Sequence, residues 1–254
     1  LDAKLSGEAK IHRYLQYRIA LTLAARAKDD PASRDAAIAV LKDNKTVFAD
    51  GWEVAPALQL LARLQEEKND TEGASQTYAD LADVPGIDAA MKLDSQLRGA
   101  RLLLSARKFT DAESKLKALT AALPADDPQR TYVAVYLAQS RIAQNNLDGV
   151  EKTLKDALAS SEDKKLRGLV HNALGDYYYA KKEKERAFWE YLKVDTLYNE
   201  DREEQAKALF FLSELFDTPM NDPTRAEECR AKLQSPQFEG AYYQRRASEN
   251  KKKP

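Results

Sequence analysis

The chain has 254 residues, 40 Lys and Arg against 41 Asp and Glu, and a formal net charge of −1, which excludes bulk electrostatic attraction to nucleic acid or an anionic membrane. A single cysteine, Cys229, excludes an intramolecular disulfide and a cysteine-based zinc site, and no apolar run approaches the roughly 18 residues of a membrane span. With 43% hydrophobic residues and only 9 Gly and 9 Pro, the composition predicts an all-α protein.

Taken in order, Ile11, Tyr14, Leu15, Arg18, Ile19 and Thr22 follow the three-and-four spacing of an amphipathic helix, diluted at Arg18 and Thr22. DDPASR (29–34) closes it, and RDAAIAVLKDN (34–44) forms a shorter helix. Breaks recur at 69–73 (NDTEG), 83–88 (DVPGID), 123–128 (LPADDP), 144–149 (QNNLDG) and 217–223 (DTPMNDP). Helical segments fill the intervals, and no break has the length or low complexity of an interdomain linker. The end, RRASENKKKP, is basic, and residues 241–254 are expected to form a flexible tail. Because the chain starts at Leu1 rather than Met, it is expected to be processed or trimmed. A soluble protein of the cytoplasm or a periplasm is expected.

A repeat emerges when the small residue opening each second helix is aligned. Ala37, Ala74, Ala112, Val150, Ala187 and Ala226 are separated by 37, 38, 38, 37 and 39 residues. Four residues after each come Leu41, Tyr78, Leu116, Leu154, Tyr191 and Arg230, so only the last copy departs from a large leucine or tyrosine there.

Residues 168–201, GLVHNALGDYYYAKKEKERAFWEYLKVDTLYNED, place Leu174-Gly175, Tyr178, Ala187 and Tyr191 at the spacing of a known pattern. This segment resembles the tetratricopeptide repeat, with His171 where Trp is usual and Asn199 where Pro is usual. Weaker copies keep Leu61-Ala62, Ala74, Tyr78 and Leu81 in 55–88, and Ala112, Leu116 and Pro124 in 93–126, where Gly99-Ala100 replaces Leu-Gly. The copy at 131–164 keeps Leu137-Ala138, Leu154 and Ala157, and further copies are set at 7–50 and 206–240. The resemblance implies a right-handed alpha-alpha superhelix, a TPR-like solenoid of about six helical hairpins over residues 1–240. Small Gly175 and Ala187 then stand where the two helices of one hairpin approach, within the roughly 8–10 Å of packed helices.

The family also implies a concave face that grips a peptide or partner helix. Its inward positions would be Gln59, Arg63, Arg98, Arg101, Tyr136, Gln139, Asn172, Asp176, Tyr179, Phe210 and Glu214. Arg98 and Arg101, three apart on one helix face, could hold a carboxylate together. The Lys/Asn clamp that some members use for a C-terminal carboxylate is not matched, since Asp176 stands where Asn is often found. Of the neighbouring tyrosines, Tyr178 holds the repeat's own buried position, Tyr177 is expected between repeats, and Tyr179 towards the groove. Trp189, in a usually charged and exposed position, either marks a convex contact with Leu192 or is covered by the following connection.

Catalytic signatures are missing. His12 and His171 lie far apart, and His171 has no carboxylate or histidine three or four residues away. Cys229 has no histidine nearby to activate it. Carboxylate pairs such as Glu66-Glu67, Asp126-Asp127, Glu203-Glu204 and Glu227-Glu228 point about 100° apart on a helix and are expected on solvated faces. There is no phosphate-binding glycine loop, HExxH or GxSxG. The expectation is a non-catalytic protein–protein interaction module without metal or cofactor, binding neither nucleic acid nor membrane. Self-association through Trp189 and the C-terminal repeat is the alternative.

Overall fold

A computed structural model describes residues 9–27, 30–47 and 51–250 of the chain. Among the described residues there are thirteen α-helices and no strand. They are α1 (Ala9–Arg26), α2 (Pro31–Val47), α3 (Val54–Glu67), α4 (Thr71–Ala82), α5 (Ala89–Ser105), α6 (Phe109–Ala122) and α7 (Gln129–Ala143). Then come α8 (Val150–Ser160), α9 (Lys164–Ala180), α10 (Lys184–Leu197), α11 (Arg202–Asp217) and α12 (Pro223–Leu233). A 3-10 turn (Pro236–Phe238) precedes α13 (Tyr242–Asn250). The chain divides into two compact units, Leu1–Leu119 and Thr120–Pro254.

The repeat is written into the backbone. Asn69, Arg107, Asn145, Lys182 and Asn221 alone among the described non-glycine residues have positive φ, between 53° and 62°. They recur at intervals of 38, 38, 37 and 39 residues, each five residues before the small residue of its second helix. In the first four, the next N–H reaches back five residues: Asp70 to Gln65 (2.9 Å), Lys108 to Leu103 (2.9 Å), Asn146 to Arg141 (2.8 Å) and Glu183 to Tyr178 (2.9 Å). Such Schellman closures satisfy carbonyls that a helix end leaves bare and turn the chain back on itself. Aspartates cap five of the helix N-termini. Asp70, Asp88, Asp163, Asp201 and Asp222 each accept a hydrogen bond from a first-turn N–H, at 2.8–3.1 Å.

All six small residues, Ala37 to Ala226, are fully buried, and so are Leu116, Leu154 and Tyr191 four residues on. Arg230, the odd member, is half-buried and pairs with Asp217 and Glu227. In the first unit, Ala20 of α1, Ala37, Ile38 and Leu41 of α2, and Leu60, Leu61 and Leu64 of α3 form one cluster. Leu58, Ala62, Tyr78 and Leu81 form a second, with Leu102 of α5 against it. In the second unit α9 packs on α7, α8, α10 and α11, and α11 packs on α12 and α13.

Two expectations are corrected. The apolar stripe of α1 exists, but it faces water: Ile11, Tyr14 and Ile19 are exposed, while Arg13, Ala20 and Ala27 are buried. Small Ala20 lets α1 lie close to α2 and α3, with Tyr17 and Leu23 packed against the same cluster, and Ile11, Tyr14 and Ile19 are left on the opposite side. The basic end is not a loose tail up to residue 250. Ala241 is fully buried, and Tyr243 of α13 sets its ring on Phe210 (5.3 Å) and Phe211 (5.9 Å) of α11. Residues 251–254 lie outside the described ones.

Candidate functional site

In the first unit, Gln59 and Arg63 are exposed on α3, with Arg63 paired to Glu67 one turn on (3.7 Å). Arg98 is exposed on α5, but its Nε donates to Asp94 Oδ2 at 2.7 Å. The twin-arginine grip foreseen for a foreign carboxylate therefore meets one from its own helix. Arg101 is half-buried. Nearby, Tyr78 donates to Glu66 at 2.7 Å, and burial followed by that carboxylate pushes its hydroxyl upward.

In the second unit the predicted face largely turns inward. Asn172 is fully buried, its Nδ2 donating to Glu204 O (2.8 Å) and Oε2 (2.7 Å). Glu204 is buried too, against the expectation of a solvated pair. Asp176 accepts from Tyr191 at 2.8 Å and from Lys207, and lies half-buried between helices. Burial works against the Lys207 charge, yet Asp176 outweighs it and holds the ammonium above the ordinary lysine range. Tyr136 is buried, Gln139 is half-buried, and Phe210 lies under Tyr243 and the Arg246 guanidinium (4.9 Å from the ring). Tyr179 is half-buried with its ring 5.6 Å from Phe211, so it packs between neighbouring helices. Glu214 stays exposed, its carboxyl raised by desolvation against the pull of Arg246 and Lys184. Physically, polar identity did not mean solvent here: tight packing of successive hairpins buries these groups and pairs them.

The other singled-out groups are structural. His171 fills its aromatic position, buried, stacked on Tyr198 (5.0 Å, 13°), with Nδ1 2.6 Å from Glu190 Oε2. That carboxylate comes from 19 residues away across the hairpin, beyond the reach of a same-face search. Cys229 is half-buried, and burial pushes its thiol up to about 11, which keeps it protonated. Tyr177 and Tyr178 are both buried, and Tyr178 donates to Glu151 of the preceding hairpin at 2.8 Å.

That glutamate is the hub of a network. Lys155 donates at 2.8 Å, and Arg186, stacked 3.8 Å over the Tyr178 ring, reaches it at 3.3 Å. Hydrogen bonds from Lys155 and then Tyr178 pull the Glu151 carboxyl from 4.5 down to about 2. Since the folded value is the lower one, the stabilisation is complete above pH 4.5 and disappears as pH falls towards 2. Wild type should therefore lose about 1–2 kcal/mol more than Glu151→Gln across that window, measured by urea unfolding at each pH.

Large apolar side chains are accessible as well. Trp189 is 54% exposed on α10, so the following connection does not cover it, and Leu197, two turns on, is 60% exposed with half-buried Leu192 between them. A second surface was not anticipated. Trp52 is 67% exposed and meets the rings of Tyr14 and Tyr17 of α1, both at 6.2 Å. The signal available in sequence was a tryptophan after a glycine in a break between helices.

No family model matches the chain, and no curated protein matches it. Among solved structures, it is similar to BtubC (BKLC) from P. vanneervenii, at 15% identity and a TM-score of 0.48, over 97% of this chain and 94% of that one. It is likewise similar to pilF of Pseudomonas aeruginosa, at 14% identity and a TM-score of 0.47, over 94% of this chain and 99% of that one. At these values neither likeness carries an argument, and the helical-hairpin repeat is read from the chain's own turns and buried positions.

Proposed function

We propose that this chain is a non-catalytic protein–protein interaction module, an adaptor or assembly scaffold with a peptide or protein as its ligand. One contrast supports the reading. The polar groups best suited to chemistry, Asp176, His171 and Glu151, are held in structural pairs, whereas Trp52, Trp189 and Leu197 stand more than half exposed. Exposed aromatic residues on a rigid helical scaffold are the usual anchors of protein interfaces. The test is affinity capture from the native organism with wild type, Trp52→Ala and Trp189→Ala as baits. A discrete partner held by wild type and lost from one variant is expected; identical capture by all three baits overturns the reading.

Self-association is a second reading, favoured by the α10 surface of Trp189, Leu192 and Leu197. Light scattering should then show a dimer that Trp189→Ala dissociates, and a concentration-independent monomer removes it.

A further inference from the structure

The outward side of α1 carries an exposed apolar stripe. Here Ile11, Tyr14, Leu21 and Ala25 are exposed along α1, and with Arg18 they fall at positions three and four apart, the spacing that one helix offers another. The opposite side is already packed on α2 and α3 through Ala20.

Trp52 extends this stripe, and its placement is built. Arg13 Nε pairs with Glu53 Oε2 at 2.9 Å in a buried contact that ties the segment before α3 to α1. Gly51, at φ +138°, lets the Arg13 guanidinium pass, since a Cβ there would lie 2.4 Å from Arg13 Cζ. Glu53 is thus pinned inward while its neighbour Trp52 is held out against Tyr14 and Tyr17.

The charge of α1 itself has one sign, although Asp30 lies near Arg26 at its end. Helix α1 carries Lys10, Arg13, Arg18 and Arg26 and no aspartate or glutamate. Lys10, Arg18 and Arg26 are exposed, and among the described residues neither Lys10 nor Arg18 has a carboxylate partner; Arg18 lies over the Tyr14 ring at 6.0 Å. We infer that the outward face of α1 with Trp52 is a docking surface for an acidic amphipathic helix of a partner protein. The inference rests on the interaction reading above and names the chemistry of the ligand: apolar residues at heptad spacing to lie along Ile11, Tyr14 and Leu21, flanked by carboxylates for Lys10 and Arg18. An anionic membrane would also meet basic and apolar groups, but the narrow three-and-four stripe fits a single helix better than a lipid plane.

The test uses the full chain with Trp189→Phe, so that Trp52 is the only tryptophan, and a synthetic helix of about 20 residues with leucine at heptad positions and glutamate flanks. Trp52 emission should shift to the blue on titration, with affinity at least about tenfold higher than for the same peptide with lysine flanks. Arg18→Glu should remove that preference, and Leu21→Glu, a change at an exposed position, should weaken binding about tenfold with helicity unchanged. Equal binding of both peptides, no effect of Arg18→Glu, or a response only to phosphatidylglycerol vesicles overturns the inference. If a captured partner is lost by Trp189→Ala but retained by Trp52→Ala, the interaction reading stands and this one falls.

Discussion

Gly175→Ala is expected to lower the stability of the second unit by about 2–3 kcal/mol, read as a lower urea midpoint with unchanged slope. A Cβ at Gly175 would lie 2.6 Å from Cε1, 2.7 Å from Cζ and 2.8 Å from Cδ1 of Tyr191. The ring cannot step aside. It is fully buried, stacked on Phe211 at 5.0 Å, and tied through its hydroxyl to Asp176 at 2.8 Å. Gly99→Ala is the control: its Cβ would meet Ser75 O at 3.4 Å and Tyr78 Cβ at 3.6 Å, ordinary contact distances. Relief of the glycine penalty should make that change neutral or stabilising by up to about 1 kcal/mol. Equal effects of the two substitutions would show that the approach of α9 to Tyr191 is not what requires glycine.

Lys207→Met should cost about 3–5 kcal/mol, because it leaves the Asp176 carboxylate between packed helices with only the Tyr191 hydroxyl for company. Asp176→Asn together with Lys207→Met should recover most of the loss: the amide oxygen still accepts from Tyr191, and no charge is left unpaired. A double-mutant cycle in urea reads the coupling. If the double variant is no more stable than Lys207→Met alone, the ion pair is not the source of the cost.

The helices and their repeat were legible in the sequence because steric necessity recurs. A hairpin that brings two helices together needs a small residue, and Ala37 through Ala226 stand out at a nearly constant interval. Which side of a helix is buried was less legible. In α1 the spacing of Ile11, Tyr14 and Ile19 suggested the buried face, and close packing selected the side of Ala20, Tyr17 and Leu23 instead. Asn172, Asp176 and Phe210 were assigned to a groove by register alone, which carries no information about what the next helix covers. Phe210 is covered by Tyr243, in a segment whose charges hid a buried Ala241. The Asp176–Lys207 pair spans 31 residues, too far for any local pattern.

The left-handed residue at the bend of the five hairpins from α3 to α12 has a consequence for how such a chain can change length. From Asn69 to Ala74, and from Asn221 to Ala226, the count is always five, even where α8 starts late at Val150. The joints between hairpins obey no such count, running to six residues after α4 and three after α8. Each of these five hairpins is therefore a cassette with a fixed internal gauge and an adjustable coupling. Insertions should be tolerated at 83–88 and rejected between 69 and 74, where one extra residue would turn the small side chain away from its partner helix.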